Sequence, residues 1–246
     1  SNFRKEKNYN QHNYGNLVKL AIMQPYLFPY IGYWQLINAV DVFVIFDDVS
    51  YIKKGYINRN SILLNGQGQR ITLELIGASQ NKLINEIEIR GNSKKILRTI
   101  ELSYSKAPYF KEIFPIIEEI LNQEEKNLAK FIGYSLEKIS NYLKIDTKFL
   151  YSSSIKKDNS LKAQNKILDI CSKLDAKNYI NTIGGVNLYD EDRFKKEGID
   201  LNFLKAKIIN YQQFKDEFIS HLSIIDVLMF NDIDAVRNML KIDKLT

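Results

Sequence analysis

Residues 19–48 read KLAIMQPYLFPYIGYWQLINAVDVFVIFDD. The segment opens with a short apolar run, residues 20–23, of the length expected for a strand buried on both faces. It breaks at Gln24 and Pro25, after which apolar residues return at the spacing of one helix face, and a second buried run covers residues 42–46. The segment therefore predicts a strand, a loop, a short helix and a second strand.

The loop after the first predicted strand is stiff and rich in aromatic residues. Pro25 and Pro29 each remove a backbone donor and fix a φ angle, so the loop cannot join a sheet ladder. A loop at the carboxyl end of the first strand of an open α/β sheet lies where such sheets bind ligands, although core packing is the alternative role for its aromatic rings. A glycine where the helix begins lets a phosphate or another backbone approach closely. The candidate substrate-binding residues of this loop are Gln24, Tyr26, Tyr30, Gly32 and Tyr33.

Charged residues follow the second predicted strand. Asp47 and Asp48 stand at its carboxyl end, where paired carboxylates bind Mg²⁺, a ribose or a substrate amine, or only cap a loop. We take both as candidate catalytic residues and predict no metal site. The next segment, SYIKKGYINRN, mixes cations and amides that suit phosphate or carboxylate groups. Its candidate substrate-binding residues are Lys53, Lys54, Arg59 and Asn60.

The middle of the chain predicts an insertion between strands of the sheet. Runs at 61–64 and 69–76 flank the sequence Asn65-Gly66-Gln67-Gly68, whose residues tolerate positive φ, and this pattern indicates a β-hairpin. Residues 86–90 alternate again and add a further strand. Helical spacing then covers most of residues 93–143.

Strands and helices alternate in the second half of the chain. The pattern places a strand at 148–151, a helix starting at Ser160 and two further strands by residue 204, which favours parallel pairing with right-handed crossovers. We therefore predict an α/β fold, a Rossmann-like parallel sheet with an inserted β-hairpin at about 61–90 and a helical segment at about 93–143. We expect one domain over residues 17–246 and a flexible tail over residues 1–16.

Composition limits the partners of the protein. The 246 residues carry 35 basic and 29 acidic side chains, and this excess suits an anionic substrate such as a nucleotide sugar. No basic run is interleaved with aromatic residues, so DNA binding is not predicted, and no apolar stretch is long enough to predict a membrane span. The single cysteine, Cys171, cannot form an internal disulfide, which indicates a cytoplasmic location.

One histidine near the end of the chain is a third catalytic candidate. His221 precedes an apolar helical run that Ser220 or Ser223 is expected to cap, with Asp226 completing a capping box. The structural role as part of a helix start is the simpler interpretation. In the alternative, His221 is a general base held by a carboxylate, since its ordinary pKa lies near neutral pH.

The first loop resembles the HxGH loop of the nucleotidyltransferase superfamily, which includes pantothenate synthetase and the glycerol-phosphate cytidylyltransferases. The resemblance lies in the spacing of Gln24, Tyr30, Ile31, Gly32, Tyr33 and Leu36. In that superfamily two histidines flank the helix start and bind the reacting phosphates. Tyrosines replace both histidines here, so the resemblance implies the fold, while stabilisation of the transition state by an imidazolium is unavailable.

A second resemblance extends over most of the chain. QPYLFPYIGYWQLI (24–37), DVFVIFDDVSYIKKGYINRNSI (41–62) and HLSIIDVLMFN (221–231) are similar to motifs of the WbqC-like family. Members occur in gene clusters for O-antigen and other surface polysaccharides. The resemblance implies a transferase of lipopolysaccharide O-antigen biosynthesis that moves an aminoacyl group, glycyl in the first instance, to the amine of a nucleotide-linked amino sugar.

Under this interpretation the partners are a nucleotide-linked amino sugar and an activated amino-acid donor. The sequence leaves the cofactor unknown: the donor is an aminoacyl-tRNA, an adenylate made from ATP with Mg²⁺, or a carrier thioester. The alternative function is a nucleotidyltransferase-like protein, or a non-catalytic nucleotide-sugar-binding protein on the HxGH fold, which the two missing histidines favour.

Overall fold

The computed structural model describes residues 18–214, 217–242 and 245. The predicted α/β fold, with its parallel sheet and inserted antiparallel strands, is confirmed. The strands are β1 Lys19–Met23, β2 Val42–Ile45, β3 Arg59–Leu64, β4 Gln67–Thr72, β5 Leu75–Ile76, β6 Glu88–Ile89, β7 Lys148–Tyr151, β8 Asn178–Thr182 and β9 Asp200–Leu204.

Eight helices are assigned within the described residues, together with short 3₁₀ turns such as Ser152–Ser154. The order strand, loop, helix, strand predicted for residues 19–48 is confirmed by β1, the first helix and β2. The helices are α1 Ile31–Ala39, α2 Ser93–Tyr104, α3 Phe110–Leu121, α4 Leu128–Tyr142, α5 Ala163–Lys173, α6 Glu191–Lys196, α7 Ile224–Phe230 and α8 Ile233–Met239.

The main sheet has the strand order β7-β2-β1-β8-β9, and all its pairs are parallel. The chain moves outward from β1 through β2 to β7 and then returns to the other side of β1 at β8, so the order reverses between β1 and β8. Ligands of open α/β sheets bind beside such a reversal, outside the carboxyl ends of the strands. The β1–β8 register covers only Lys19 with Asn178 and Leu20 with Tyr179, so this ladder stops short of the carboxyl edge.

Apolar cores cover both faces of the sheet, which explains the continuous apolar runs of its central strands. Leu20 and Ile22 pack in a core with α5 and α6, whereas Ala21 between them packs in the larger core with α1 and the inserted helices. Cys171 of α5 is fully buried in the first of these cores. Cys171 therefore packs there as a small apolar residue.

The insertion after β2 consists of two hairpins rather than one. Asn65 and Gly66, with φ of 50° and 73°, alone connect β3 to β4, because Leu64 is already paired with Gln67. This two-residue turn needs positive φ at both positions, as in a type I′ turn. The run 69–76, predicted as one strand, divides into β4 and the short β5, and β5 pairs with β6.

One predicted helix start is wrong by three residues. The helix expected at Ser160 begins at Ala163, because Ser160 donates from its backbone N and its Oγ to Asp158 Oδ1 at 2.9 and 2.6 Å. A serine whose hydroxyl bonds a neighbouring carboxylate in this way stabilises a turn in place of a helix. The predicted flexible tail, residues 1–16, lies outside the described residues, and the single domain over 17–246 stays a prediction.

Candidate functional site

Three strands deliver their following residues to one edge of the sheet. Ile45 of β2 is in register with Met23 of β1 on one side and with Tyr151 of β7 on the other. Phe46 N donates to Met23 O at 2.8 Å, which carries the pairing to the edge itself. Because the strands are parallel, the segments that follow them lie together at their carboxyl ends. These segments hold Gln24, the pair Asp47 and Asp48, and the turn Ser152–Ser154.

Asp47 lies at this edge with 3% of its surface exposed. Its Oδ1 accepts a hydrogen bond from Ser153 N at 2.9 Å, and its Oδ2 accepts one from the Ser153 hydroxyl. Burial raises the pKa of the Asp47 carboxyl, and the charge of Asp48 acts in the same direction, while the bonds from Ser153 oppose both. Asp47 is therefore a carboxylate with increased basicity, in contact with a hydroxyl group.

Asp48 has the opposite environment. Lys157 Nζ lies 2.5 Å from Asp48 Oδ2, and Lys166 Nζ lies 3.3 Å from Oδ1 and donates to the Asp48 main-chain oxygen at 2.7 Å. Burial disfavours the charged carboxylate, but hydrogen bonds and the charges of both lysines outweigh burial and hold the pKa of Asp48 below its usual range. Asp48 is therefore kept ionised next to a carboxylate that is easier to protonate.

Both lysines are buried with their partners. The side chains of Lys157 and Lys166 are 1% and 9% exposed, and a buried amino group is stable only when it is paired and hydrogen-bonded. Lys157 Nζ also donates to Ser152 O at 2.6 Å, and Lys166 Nζ lies 5.3 Å from the centre of the Phe46 ring. We name the group Asp47, Asp48, Ser153, Lys157 and Lys166 the edge cluster.

Sequence reasoning found only the two carboxylates of the edge cluster. Ser153, Lys157 and Lys166 contact them across 106, 109 and 118 positions of the chain. The first two lie in a polar segment that follows β7, where neither helical nor strand periodicity marks a position. Three consecutive serines directly after a predicted strand were the one available signal.

The first loop is fixed by its own hydrogen bonds. Tyr33 is 1% exposed, its hydroxyl donates to Gln24 O at 2.7 Å, and burial raises the pKa of this phenol well above its ordinary value. Trp34 Nε1 donates to Pro29 O at 3.0 Å. Tyr33, a predicted substrate-binding residue, is thus bonded to the backbone at the start of the loop.

Tyr30 occupies the space beside Gly32. A Cβ atom at Gly32 would lie 2.5 Å from the Tyr30 ring, so the glycine is needed for the packing of this ring. The predicted close approach at Gly32 is therefore made by a side chain of the same loop. Tyr26 is partly buried, with its ring centre 5.4 Å from that of Tyr33 and 6.0 Å from that of Tyr56. We name Tyr26, Tyr30 and Tyr56 the tyrosine face.

Asn60 supports the loop from the inserted hairpin. Its side-chain nitrogen donates to Leu27 O at 3.2 Å and to Phe28 O at 3.0 Å, and Ser223 Oγ also donates to Phe28 O at 2.7 Å. Phe28 has a φ of 42°, a left-handed conformation that is costly for a bulky side chain. Asn60, predicted to bind substrate, thus holds a strained loop in place.

The cations of the second motif lie on a loop that Arg59 organises. Arg59 Nε donates to Gly55 O at 2.9 Å, and its Nη2 donates to Lys54 O. Lys53 and Lys54 are exposed on the same loop, and Tyr56 is 61% exposed. The loop therefore presents two lysines and a tyrosine ring, while the Arg59 guanidinium bonds its backbone.

His221 lies on an exposed turn with a φ of 61°. Its Nδ1 is 2.8 Å from Ser220 Oγ. Ser223 caps α7 as expected, since its Oγ accepts from Ile225 N at 3.1 Å. The simpler of the two interpretations, in which His221 belongs to a helix start, agrees with these contacts.

Asp226 does not complete the predicted capping box. It is fully buried, and its carboxylate accepts hydrogen bonds from Tyr104, Tyr211 and Gln213 at 2.8, 2.5 and 2.8 Å. Ser223 N donates to Ser61 O instead. The carboxylate thus joins α2, α7 and the segment before α7.

Two broader properties follow from the described residues. In the described part of the chain, no three His, Cys, Asp or Glu side chains are grouped so that they could hold a metal ion. Among the helices of residues 18–214 and 217–242, none is both long enough and apolar enough to cross a membrane.

Comparisons with known proteins extend these observations. The chain is 29% identical to uncharacterized protein Rv1507c of Mycobacterium tuberculosis over an alignment of 218 residues. This alignment covers 87% of the present chain and 93% of the mycobacterial protein. No solved structure matches the present chain. The profile of the WbqC-like protein family matches residues 24–238, a range that contains the first loop, the edge cluster and α7. The chain therefore belongs to the WbqC-like protein family.

Proposed function

We propose that this protein transfers an aminoacyl group, glycyl in the first instance, to the amine of a nucleotide-linked amino sugar in bacterial O-antigen biosynthesis. One observation carries the proposal: two adjacent carboxylates at the carboxyl edge of the sheet have pKa values shifted in opposite directions. The pKa of Asp47 is raised and that of Asp48 is lowered. Pairs of titratable groups whose environments separate their pKa values are typical of acid–base sites.

Aminoacyl transfer needs a proton acceptor for the attacking amine. Asp47 is the better acceptor of the two carboxylates because burial raises its pKa. Asp48, bound by Lys157 and Lys166, keeps a fixed charge that contributes to the basicity of Asp47. In this proposal Asp47 therefore takes the proton of the attacking amine. Asp48, held by its two lysines, supports Asp47 in this role.

The substrate groups in this proposal match the side chains of the loops that follow β1 and β2. Lys53 and Lys54 are exposed point charges suited to the diphosphate of a nucleotide sugar. The tyrosine face offers rings and hydroxyl groups, which can pack on a sugar and hydrogen-bond it. Burial raises the pKa of Tyr26 and Tyr30, so both remain neutral hydrogen-bonding groups. We also propose a cytoplasmic location, because Cys171, the one cysteine of the chain, is free.

A second candidate function is nucleotide-sugar binding without catalysis. The observation that favours it is the state of the first loop, where tyrosines stand at the places of the HxGH histidines and the Tyr33 hydroxyl bonds the loop backbone. Such a protein would keep the loops that hold the ligand and lack the reacting groups. It would bind the sugar nucleotide and form no product.

Mass spectrometry of reaction mixtures tests the proposal. The protein is incubated with nucleotide-linked amino sugars and glycine supplied with ATP and Mg²⁺, as glycyl-tRNA or as a thioester, and a glycyl addition to the sugar is sought. Asp47→Asn should lower the rate by roughly 10²- to 10⁴-fold, because it removes the proton acceptor. Asp200→Asn, an exposed carboxylate at the amino end of β9, is the matched control and should be unchanged. Binding without product for every donor would favour the second function.

A further inference from the structure

One serine of the edge cluster differs from its neighbours. Ser153 is an exposed residue in the turn Ser152–Ser154, and its hydroxyl donates to the Asp47 carboxylate. Ser152 is fully buried, and its carbonyl accepts from Lys157. The Ser154 hydroxyl donates to Tyr151 O at 2.7 Å. Of the three serines of this turn, Ser153 is thus the one that is exposed and whose hydroxyl contacts a proton acceptor.

The contact between Ser153 and Asp47 is held from both sides. Ser153 N donates to Asp47 Oδ1 at 2.9 Å, so two hydrogen bonds fix the serine against the carboxylate. On the other side, Asn85 N donates to Asp47 O at 3.0 Å, which fixes the main chain of the aspartate. A nucleophile in hydrogen-bond contact with an oriented base is the arrangement that activates serine for covalent catalysis.

We propose that Ser153 is a nucleophile that accepts the acyl group from the donor, with Asp47 as its general base. This step deepens the proposed aminoacyl transfer and rests on it. If Asp47 only capped the short turn, its contact with Ser153 N would be sufficient. The Ser153 hydroxyl makes a second contact, in which its proton points to the other oxygen of the carboxylate. Burial of that carboxylate strengthens it as a base.

The chemistry proceeds in two balanced steps. Asp47 takes the Ser153 hydroxyl proton while Oγ attacks the carbonyl carbon of the activated donor. A bond from this carbon to Oγ forms, the bond to the leaving oxygen or sulfur breaks, and the leaving group departs with the bonding electrons and the proton from Asp47. The sugar amine then attacks the ester carbonyl and loses a proton to Asp47, and Oγ departs and recovers that proton.

Acylation by p-nitrophenyl acetate tests the nucleophile without any knowledge of the natural donor. The intact protein is treated with this ester, release of p-nitrophenol is followed, and the acetylated residue is located by peptide mass spectrometry. We expect acetyl-Ser153 in the wild type and in Ser154→Ala. In Ser153→Ala the ester at this turn should be absent, and in Asp47→Asn its formation should slow by roughly 10²- to 10⁴-fold.

The outcomes separate this inference from the proposed function. Acetylation confined to lysines, with Ser153 unmodified in the folded wild type, would overturn the nucleophile. So would a full rate of glycyl transfer to the amino sugar by Ser153→Ala, although the transferase function would then stand. Acetyl-Ser153 in a protein that transfers glycine from no donor would support the nucleophile and remove the proposed acceptor chemistry. Circular dichroism of each variant confirms that it is folded.

Discussion

Within residues 18–214 and 217–242, carboxylates are buried at two places, and their hydrogen-bonding and charge partners differ. Asp226 receives three hydrogen bonds from neutral side chains, two of them from the buried residues Tyr104 and Gln213 and one from the partly buried Tyr211. Asp47 and Asp48 lie at the carboxyl edge of the sheet, where two buried lysines neutralise Asp48 and an exposed residue, Ser153, contacts Asp47. A buried carboxylate enclosed by its donors joins elements of the fold, whereas one that meets an exposed hydroxyl is placed to move a proton.

The largest effect is expected from Asp226→Ala, which tests the structural half of this contrast. The substitution removes the acceptor of the buried donors of Tyr104 and Gln213 and of the partly buried Tyr211 hydroxyl. Each such group costs about 1–3 kcal/mol, so the free energy of unfolding should fall by about 4 kcal/mol or more. Urea denaturation measures it. Asp234→Ala, an exposed carboxylate of α8, is the control, and equal losses in both variants would contradict the role of the Asp226 network.

The next largest effect is expected from Lys157→Met. It removes one of the two cations of Asp48 and the bond to Ser152 O, and it leaves the carboxylate partly unpaired. Loss of one partner of a buried ion pair costs about 3 kcal/mol, which should appear as a lower urea midpoint.

Lys177→Met is the matched control for that variant. Lys177 pairs with Asp175 at the protein surface, where half of the lysine side chain is exposed to solvent. Its removal should therefore change the free energy of unfolding by less than about 0.5 kcal/mol. If the two lysine variants were equally stable, the edge cluster would not be a buried ion-pair network.

Asp48 and Asp226 should contribute to stability with opposite dependence on pH. The pKa of Asp48 is lower in the folded protein than in the unfolded chain, so its contribution is complete above about pH 4 and is lost as the pH falls through the lowered value. Burial raises the pKa of Asp226, so its contribution is complete at low pH and is lost as the pH rises through the raised value.

Unfolding free energies measured from acid to neutral pH test these signs. Asp48→Asn should remove part of the loss of stability that the wild type shows on acidification. Asp226→Asn should destabilise the protein less at neutral pH than at acid pH. The pH-dependent part of each change should be smaller than the loss in Lys157→Met, since it reports the pKa shift of a single carboxyl group. A pH dependence identical to that of the wild type in both variants would contradict the opposite environments.

The smallest effect is expected from Tyr33→Phe, which removes a neutral buried hydrogen bond to Gln24 O. Such a bond contributes about 1 kcal/mol, so the urea midpoint should fall only slightly. The comparison with Lys157→Met sharpens the difference between neutral and charged buried groups. A loss as large as that of Lys157→Met would show that the first loop is as important for stability as the edge cluster.

Local patterns were sufficient for most of the fold. The apolar runs that became β1, β2 and β7 and the helical spacing of α2 lie within single segments, so periodicity alone locates them. The division of residues 69–76 into two strands depends on their partners, since β4 pairs with β3 and β5 pairs with the later β6. No local pattern shows this choice of partners. Helix α5 starts late because the side chains of Asp158 and Ser160 bond each other.

The candidate site was harder to predict for the same reason. Asp47 and Asp48 were identified by their position after a strand, but their partners are contributed by α5 and by the segment between β7 and α5. Which strand lies beside β2 decides those partners, and strand order is a property of the whole chain. The role of Asn60 was also hidden, since its target is a backbone carbonyl on another loop.

The Phe28 carbonyl has a consequence for how the protein is made. It accepts hydrogen bonds from residues 32 and 195 positions away, the second of which is Ser223 at the start of α7. During synthesis the ribosome adds Ser223 195 positions after Phe28, so the first loop acquires its second anchor only after that length of chain has been made. Contacts of such long sequence separation form late in folding. A chain that ends before Ser223 would keep the bonds that Asn60 donates to the first loop and would lack this second anchor.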